Sequence, residues 1–561
     1  MKKAFLLIMV CFLCAGLFAG GGKQGGADSG LTTIKVWGNS REYPVAGATV
    51  TMADWYNGTI PSRLWEKFNE EMAKLGIKLD MTLITQDQMV TAFTTLVASG
   101  QFNNYDWVSP IEFIDTKARY NMVDQKLLLA LDTAIDQYSA GPARDYFRSN
   151  PAGMRVRKIN NLADGHMYWL HQTDAFYYKD PKNIAGEPFG GMIRNDWLTQ
   201  LGLKYPTTLD ELFNTFKAFQ DRDANGNGAK DEVAMFDVAR DQFAMAFAGY
   251  FGIGDGNLVY AQGDKVYSQW YNEHARDYIA YMQRLYSAGL LKLTDQGNEV
   301  AGNFVSFYGT YFQNTWDEPM VIVPTGKPNA YYSPVVLQAF PNVPYFVSEQ
   351  PGVNQYPASG MYCIPARSKN VEKTIKMVDY FHTMEYMLLG ELGIDGYTYR
   401  MVNGIPERLK PDSRNVGYDQ QLISASLTLL CSGWQTNFPR MRKGDKTEIY
   451  QQMIDGGKAQ GYSDGYTLKN DYLRHFYEKN DWTHFVNQAN IEGIITFPTA
   501  VEADRVAQIL PDLKTYSAEL MAALIMGQKS LNDWNTYMAD FKRLGLDDLV
   551  GIYQSRLNRM K

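Results

Sequence analysis

The chain has 561 residues, 45% of them hydrophobic and 20% charged, with a formal net charge of −7. This is the composition of a globular protein long enough for two or more domains, and its negative charge offers no general attraction to nucleic acid or anionic lipid. Only Cys363 and Cys431 lie beyond the N-terminal segment, so the fold is not a disulfide framework, although one bridge between them stays open.

The N-terminus has the pattern of a secretory signal peptide. Lys2 and Lys3 precede an apolar run, and small residues follow. We expect a signal peptide over residues 1–19, cleaved after Ala19, and a glycine-rich linker over 20–30, because the run is shorter than the roughly 20 residues of a membrane span. The mature protein is expected to be exported, to the periplasm or the cell surface. A lipid anchor would need a cysteine at the cleavage junction, where the sequence has glycines, so free secretion is favoured.

The segments after the linker alternate between strand and helix patterns. TIKVW and the alternating run IKLDMTLI are typical of strands, and YDWVSP contains a third. Between them, PSRLWEKFNEEMAKLG and DQMVTAFTTLVASG place apolar residues at helical spacing. This β-α-β-α-β order predicts an α/β fold that begins with an open, mostly parallel sheet. In chain order, the ranges are 33–37, 61–76, 77–84, 87–100 and 105–110.

The rest of the chain is richer in helical patterns. RNDWLTQLG predicts one helix, and PTTLDELFNTFKAFQ predicts another, in which Thr208 and Glu211 form a capping box. Helical periodicity also covers 271–290, 371–389, 415–431 and 505–558. No internal repeat or heptad run is present, so a mixed globular architecture is expected.

The second of these helices leads into DRDANGNGAKDE, residues 221–232, which has the pattern of a Ca²⁺-binding loop. Such loops supply carboxylate or amide oxygens at alternate positions, a glycine at the sharp turn and a closing carboxylate. Two registers fit, one starting at Asp221 and one at Asp223. The second register would use Asp223, Asn225, Asn227, the backbone carbonyl of Ala229, Asp231 and Glu232. A plain Asn-Gly turn is the alternative, and Mg²⁺ is less well suited because it keeps several waters.

Several segments resemble, in the same order, the bacterial extracellular solute-binding proteins of ABC importers. Within them, the resemblance is to the large oligosaccharide-binding branch with LplA-like and alginate-oligosaccharide-binding members. The central stretch is IRNDWLTQLGLKYPTTLDELFNTFKAFQDRDANGNGAKDE; LVASGQFNNYDWV precedes it, and YMQRLYSAGLL, ARSKNVEKTIKMVDYFHTMEYMLLGELGIDGYTYRMVNG and MGQKSLNDWNTYMADFKRLGLDDLVGIYQSRLNR follow. The chain departs from the family's loop pattern at Ala224 and Ala229 and lacks the lipobox cysteine of the usual membrane tether.

The resemblance implies a two-lobed α/β fold of the periplasmic-binding-protein type, with a hinge and a ligand cleft between the lobes. We expect the first lobe to comprise 31–165 and 310–370, and the second to comprise 166–309 and 371–561. The resemblance also favours the loop register that starts at Asp223. It implies that a structural Ca²⁺ is bound in the second lobe, away from the cleft.

A sugar ligand needs flat apolar rings against its C–H faces and planar polar groups for its hydroxyls. Ligands of such folds bind at the carboxyl edges of the sheets, where we expect Trp37 and Trp107; core packing is the alternative for both. The predicted ligand-binding residues are Trp37, Arg41, Asp106, Trp107, Tyr168, Trp169, Trp316, Asp317, Tyr397 and Trp434. No catalytic residue is predicted.

The implied function is that of the substrate-binding component of an ABC transporter, which captures an oligosaccharide and delivers it to a membrane permease. The chain has no P-loop, so the ATPase would be a separate subunit, and its six histidines lack metal-ligand spacing. We predict a monomeric binding protein and not an enzyme. A secreted polysaccharide lyase or glycosidase is the alternative, since a carboxylate pair cannot be identified from spacing alone. A peptide ligand and an adhesion module also stay open.

Overall fold

The structure is a computed structural model. It describes residues 30–40, 42–45, 48–59, 61–109, 111, 113–170, 187–237, 247–254, 258–294, 306–310, 332–335, 337, 339–340, 343, 345–350, 361–383, 385–386, 389, 393–397, 399–402, 405–408, 485–489, 491 and 495–561. The predicted signal peptide, the predicted helix 415–431 and Cys431 lie outside this set. Within it, no helix combines the length and the apolar character needed to cross a membrane.

The strands are β1 Thr32–Ser40, β2 Glu42–Val45, β3 Ala48–Thr51, β4 Ile77–Thr85, β5 Trp107–Ser109, β6 Glu187–Arg194, β7 Ala234–Asp237, β8 Val259–Gln262, β9 Lys265–Ser268, β10 Leu291–Thr294, β11 Ser306–Thr310, β12 Tyr332–Pro334, β13 Tyr345–Gln350, β14 Tyr399–Val402, β15 Ile405–Arg408 and β16 Phe485–Ala489. The helices are α1 Met52–Tyr56, α2 Arg63–Lys74, α3 Met89–Ala98, α4 Thr116–Asp124, α5 Leu131–Tyr138, α6 Pro142–Ser149, α7 Pro151–Asn160, α8 Asn195–Leu201, α9 Leu209–Asp221, α10 Ala275–Ser287, α11 Val371–Phe381, α12 Ala500–Ile525, α13 Trp534–Leu544 and α14 Leu546–Asn558.

The predicted parallel sheet is present near the start of the chain. β1 lies between β4 and β5 and runs parallel to both, with Thr32 opposite Ile77 and Val36 opposite Trp107. Helix α2 precedes β4, and α3 precedes β5. The β-α-β-α-β prediction is therefore confirmed for this part of the chain.

Helix α2 illustrates how local sequence sets these elements. Its first turn is capped by Ser62, whose Oγ accepts a hydrogen bond from the Trp65 backbone N–H at 3.2 Å. Phe68 and Met72, four residues apart on one face, are buried. The helix is followed by Gly76 at φ +71°, a left-handed conformation that glycine adopts without strain. The chain then turns directly into β4.

Two hydrophobic layers cover this sheet. Ile34 and Val36 of β1 pack in one cluster together with the buried face of α2. Trp37 points to the opposite face, as strand alternation requires, and packs with Met89 and Phe93 of α3. We call this sheet and its two layers the first domain.

A second core is built from more distant parts of the chain. Helices α9, α10 and α12 contribute buried side chains to it, among them Phe216, Tyr278 and Leu513. Ile193 of β6 belongs to the same core. β6 lies in a mixed sheet of order β11-β6-β13-β16, and β12 also pairs with β6. We call these elements the second domain.

The described residues divide between the two cores differently from the predicted lobe boundaries in several stretches. Met167 and Trp169 lie in the clusters of the first domain, although 166–309 is predicted for the second lobe. β12 and β13 pair with β6, and Val335 lies in the second core, although 310–370 is predicted for the first lobe. Conversely, Val378 of α11 lies in the first core, although 371–561 is predicted for the second. Strand pairing and side-chain packing between segments far apart in sequence decide these assignments. The exact positions of the boundaries stay a prediction.

Near its C-terminal helices, the chain passes from one core to the other within three residues. Ile495 belongs to the second core and Phe497 to the first. The guanidinium of Arg119 lies 5.2 Å from the centre of the Phe497 ring and 5.6 Å from that of Trp169, and its Nη1 donates to the Met361 sulfur at 2.8 Å. The buried Arg119 side chain thus contacts three separate segments of the chain, at Trp169, Met361 and Phe497. This crossing is a candidate hinge.

Asp379 of α11 connects two helices of the first domain by capping α6 from outside. Its buried carboxylate accepts hydrogen bonds from Ser139 Oγ at 2.5 Å and from the backbone N–H groups of Ala140 and Ala143 at 2.7 and 3.0 Å. Asp379→Ala would leave these donors without their acceptor. We expect it to lower the free energy of unfolding by about 3 kcal/mol, because a hydrogen bond to a charged group contributes roughly 1.5–3 kcal/mol. Chemical denaturation measures this loss.

The matched control lies on the same helix. Glu372 is exposed and pairs with Lys376 at 2.8 Å, so Glu372→Ala should leave the denaturation midpoint nearly unchanged. An equally small effect of Asp379→Ala would contradict the capping role.

Candidate functional site

The carboxyl edge of the first sheet carries a group of polar side chains. β1 ends at Ser40 and β5 ends at Ser109, and Ser109 lies opposite Gly38. Asn39, Ser40 and Ser109 are all buried, and Gln86 follows the end of β4. Open α/β sheets bind their ligands at this edge. We call Asn39, Ser40, Gln86 and Ser109 the edge cluster.

Hydrogen bonding within the edge cluster is incomplete. Asn39 Nδ2 donates to Gln86 Oε1, and Ser40 Oγ accepts from the Ala53 backbone N–H at 3.2 Å. Asn39 Oδ1 and Ser109 Oγ, by contrast, have no hydrogen-bond partner among the described residues. Sequence reasoning missed both residues, although a polar residue at the end of a predicted strand was the available signal. The edge thus offers one unused acceptor and one unused hydroxyl.

Asp106 lies at the opposite, amino end of β5. Its carboxylate accepts from the Lys35 backbone N–H at 3.0 Å, from Ser368 Oγ at 2.6 Å and from Asn370 Nδ2 at 3.0 Å. These bonds join β1 to the loop before α11. Asp106, which is predicted to bind ligand, therefore holds segments of the protein together. These contacts do not support a ligand role, which stays a prediction.

The two tryptophans predicted for the cleft lie inside the first domain. Trp107 opens β5, is wholly buried, and stacks on Tyr362 with 4.0 Å between ring centres. Trp37 lies within β1, three residues before its end, and its ring is 5.6 Å from that of Phe93. They belong to different clusters, on opposite faces of the sheet. Both have the packing of core residues, which was the stated alternative.

The remaining described candidates have local partners. The Tyr168 hydroxyl donates to Asp164 Oδ2 at 2.7 Å, and burial together with this bond raises the pKa of Tyr168 to about 12. Trp169 is buried beside the crossing, and the Arg63 guanidinium lies 4.5 Å from the centre of the Tyr397 ring. These contacts leave their ligand roles as predictions. Outside the described residues lie Arg41, Trp316, Asp317 and Trp434.

The predicted Ca²⁺ loop folds around its own polar side chains. The Asp223 carboxylate accepts from the backbone N–H groups of Asn227 and Gly228 at 3.0 and 2.9 Å. Asn225 Oδ1 accepts from Asn227 N–H at 3.0 Å, and Asn227 Oδ1 accepts from Ala229 N–H at 2.8 Å. Asp223 has a φ of +49°, a left-handed conformation that Asp tolerates better than most residues. The alternating oxygen-bearing side chains therefore gather at one tight turn.

Two carboxylates close the loop. Asp231 accepts from the Nδ2 groups of Asn225 and Asn227 at 2.7 and 2.8 Å. Glu232 is buried; its Oε1 accepts from Asn225 N–H at 3.1 Å, whereas its Oε2 has no donor in the described part of the chain. Burial raises the pKa of Glu232, and the nearby carboxylates of Asp231 and Asp223 add to this. A buried carboxylate oxygen without a donor is the group that a bound cation would satisfy.

Asp221 has different partners from the rest of the loop. Its carboxylate pairs with Lys217 Nζ at 2.5 Å and Lys230 Nζ at 3.2 Å, and these two lysines hold the pKa of Asp221 below its usual value. This arrangement favours the register that starts at Asp223. Within the described ranges, no three or more His, Cys, Asp or Glu side chains form a group that could hold a metal. A cation in the loop would therefore need amide and backbone oxygens as well.

Comparison with known proteins gives the relatives of the chain. No protein-family model matches it. It is similar to the fructooligosaccharide ABC transporter substrate-binding protein FusA of Streptococcus pneumoniae, with 26% identity over 450 residues that cover 77% of this chain and 76% of FusA. It is also similar to lipoprotein LipO of Bacillus subtilis, with 23% identity over 345 residues, 56% of this chain and 61% of LipO.

Solved structures give the fold. FusA of S. pneumoniae in complex with kestose matches with a TM-score of 0.65 and 17% identity, over 94% of this chain and 99% of FusA; an EF-hand mutant of FusA in complex with fructo-nystose matches equally well. The alginate-binding protein AlgQ2, in a structure without calcium ion, matches with a TM-score of 0.57 and 19% identity, over 95% and 99% of the two chains. By sequence the chain is a homologue of ABC-transporter substrate-binding proteins, and it has the two-domain fold of the solute-binding proteins.

Proposed function

We propose that the chain is the substrate-binding component of an ABC transporter. It captures an oligosaccharide between its two domains and delivers it to a membrane permease, whose ATPase is a separate subunit. The observation that carries this proposal is the similarity to FusA over 77% of the chain, because FusA is named for a fructooligosaccharide and is solved with kestose. The edge cluster supports it, since its unused polar atoms lie where ligands of open α/β sheets bind.

In this proposal the ligand acts by stabilising the closed arrangement of the two domains. A ligand shifts such an equilibrium only by the difference between its affinities for the two states, so it must contact both domains when they are closed. The crossing between Ile495 and Phe497 is the proposed hinge, and the Arg119 guanidinium contacts the Phe497 ring on the side of the first domain. In this proposal the ligand is released chemically unchanged, so the protein is a receptor and not an enzyme. It acts as a monomer.

We also propose that the loop binds one structural Ca²⁺. Its ligands would be oxygens of Asp223, Asn225, Asn227, Ala229, Asp231 and Glu232. The support is the buried Glu232 Oε2 without a donor, the preference of Ca²⁺ for oxygen ligands, and the EF-hand of FusA. When bound, the cation neutralises the carboxylates and links both ends of the loop. Ala224 is buried in the second core, so the loop would be fixed to the second domain.

The proposed location is the periplasm or the cell surface. The signal-peptide pattern at the N-terminus supports export, and the homologue LipO is named as a lipoprotein. Cell fractionation of the native host would test this location.

The test of the function is the melting temperature of the mature protein, freed of carried-over ligand and kept in Ca²⁺, against a panel of neutral and uronic-acid oligosaccharides. A ligand at 100 times its dissociation constant should stabilise the protein by about 2.7 kcal/mol, which raises the melting temperature measurably. The saccharide should be recovered intact after incubation. Cleavage products would instead support a carbohydrate-active enzyme, and no shift with any saccharide would contradict the proposed cargo class.

A further inference from the structure

One segment of the second domain reaches into the first. Ile495 and the buried face of α12 belong to the second core, but Phe497, which lies between them in the chain, packs in a cluster of the first domain. Its ring centre lies 5.0 Å from that of Trp169 and 6.0 Å from that of Tyr120. The chain therefore enters the first domain and returns within a few residues. We call residues 496–498 the crossing segment.

Hydrogen bonds attach the backbone of the crossing segment to the first domain. The Phe497 N–H donates to the carbonyl oxygen of Ile159, in α7, at 2.7 Å. The Tyr120 hydroxyl, in α4, donates to the carbonyl oxygen of Pro498. Phe497 and Pro498 are buried, and breaking a buried hydrogen bond leaves its groups without partners. This attachment therefore resists separation of the two domains at this point.

Arg559, which follows α14, contacts the same segment from the second domain. Its Nε donates to Thr496 Oγ1 at 3.0 Å, and its Nη2 donates to the Phe497 carbonyl oxygen at 3.4 Å. Nη1 and Nη2 also donate to the Glu502 carboxylate at 2.7 and 2.6 Å. A guanidinium has five N–H donors in one rigid plane, so this one side chain links the crossing segment to the first turn of α12.

Two further contacts extend the link into α12 and α14. The Glu502 carboxylate also accepts from the Thr499 N–H at 2.8 Å, and Thr499 Oγ1 accepts from the Glu502 N–H at 3.2 Å, which is a capping box at the start of α12. Arg556, three residues before Arg559, donates from Nε to the Thr496 carbonyl oxygen at 2.8 Å. The crossing segment is therefore hydrogen-bonded to α14 directly and to α12 through Arg559.

We propose that Arg559 is a positioning residue for the closure of the two domains. By connecting the crossing segment to α12 and α14, it limits the orientations that the second domain takes relative to the first. This inference rests on the proposed function, in which the ligand contacts both domains. The apparent affinity for a ligand is proportional to the fraction of the protein in orientations that can close on it, and binding that must order a looser protein costs more entropy. Arg559 thus affects ligand binding through the crossing segment and not by contact with the ligand.

Arg505 provides the matched control. Like Arg559, it joins α12 to α14 by an ion pair, since its Nε and Nη2 donate to Asp548 Oδ2 at 2.9 and 2.5 Å. The two side chains are exposed to a similar degree, 44% for Arg505 and 36% for Arg559. The hydrogen bonds of Arg505 to described residues go to Asp548 and Gln508, outside the crossing segment. Loss of either arginine should therefore cost similar stability, but only Arg559 contacts the crossing.

The experiment measures the distance between the two domains in the ligand-free protein by pulsed electron paramagnetic resonance. Spin labels are attached at exposed positions, through Glu70→Cys in α2 of the first domain and Glu273→Cys before α10 of the second. The background carries Cys431→Ser, and Cys363 is buried and stays unlabelled. Calorimetric titration then uses the saccharide that stabilises the parent protein most in the melting-temperature panel.

Arg559→Ala is expected to broaden the distribution of interdomain distances. It should also weaken saccharide binding by about fivefold, the lower end of the usual coupling between sites. Arg505→Ala should leave the distance distribution and the affinity unchanged, while both variants lower the melting temperature to a similar extent. A merely structural role of Arg559 would lower the melting temperature alone, and that result would overturn the inference.

Tyr120→Phe is the second variant, which decides the question if Arg559→Ala does not fold. It keeps the ring beside Phe497 and removes only the hydroxyl that donates to Pro498. We expect a broader distance distribution here too, with a smaller change than in Arg559→Ala. An unchanged distribution would overturn the role of the crossing segment.

The remaining outcomes separate this inference from the proposed function. Weaker binding by Arg559→Ala at an unchanged distance distribution would show that Arg559 contacts the saccharide directly, which would overturn the positioning role and keep the receptor. Binding of no saccharide by the parent protein would overturn the proposed function. The distances are measured without ligand, so they would still decide whether Arg559 restricts the orientation of the domains.

Discussion

Trp107→Ala is expected to lower the free energy of unfolding by about 3–5 kcal/mol, the usual cost of removing a buried large aromatic side chain. The ring is wholly buried. It stacks on Tyr362 at 4.0 Å with an angle of 21° between the planes, and it meets Phe381 edge-on at 5.8 Å. The substitution would leave a cavity between β5 and α11, because the surrounding sheet and helix relax only in part.

Denaturation by urea measures this effect, and titration of the folded variant with its saccharide separates it from binding. We expect the folded Trp107→Ala protein to keep the affinity of the parent. Trp107→Phe is the control, since it keeps a ring against Tyr362 and should recover much of the lost stability. Parental stability combined with a large loss of affinity would instead place Trp107 in the ligand cleft, as the sequence alone predicts.

The case of Trp107 shows why sequence patterns found the sheet but not its ligand edge. Hydrophobic alternation predicts that a strand exists, and the parallel order of β4, β1 and β5 confirms it. The ends of strands are less well defined, because polar residues can continue a ladder. β1 extends to Ser40, past Trp37, and β5 begins at Trp107 instead of ending near it. A shift of two or three residues moves an aromatic ring from the edge into the core.

Helix ends are easier to predict from sequence than strand ends, because local residues determine them. Thr208 caps α9 as predicted, accepting from Glu211 N–H at 3.2 Å. The reciprocal bond differs: the Glu211 carboxylate accepts from the backbone N–H and the hydroxyl of Thr207 at 2.8 and 2.7 Å. Two adjacent threonines can serve equally well, and the sequence does not distinguish between them.

The division between the domains could not be predicted from local patterns at all. β6 pairs with β12 and β13, which follow it by well over a hundred residues in the chain. α11 returns to the first domain, where Phe381 packs against Trp107. Such choices depend on which surfaces fit together in three dimensions. An amphipathic helix shows only that one of its faces is buried, and not against which sheet.

Removal of Ca²⁺ by a chelator is expected to lower the melting temperature by several degrees. At a Ca²⁺ concentration of 100 times the dissociation constant, binding stabilises the folded state by about 2.7 kcal/mol. Without the cation, Glu232 keeps a buried oxygen that has no donor in the described structure. Burial raises the pKa of Glu232, and the neighbouring carboxylates add to this. Differential scanning calorimetry in EGTA and in excess Ca²⁺ measures the difference, with Mg²⁺ as the comparison ion.

A pair of charge-removing variants tests which register of the loop binds the ion. Asp223→Asn keeps a residue that tolerates the φ of +49° but removes one charged ligand, so the response to Ca²⁺ should largely disappear. Asp221→Asn should retain the full response, because the Asp221 carboxylate is already paired with Lys217 and Lys230. Loss of the response in both variants would show that the loop binds in the first register, which uses Asp223 as well as Asp221. If both variants respond like the parent, the stabilising ion is bound elsewhere. The Asn-Gly-Asn-Gly segment is then only a turn, stabilised by hydrogen bonds such as those from the Asn227 and Gly228 N–H groups to Asp223.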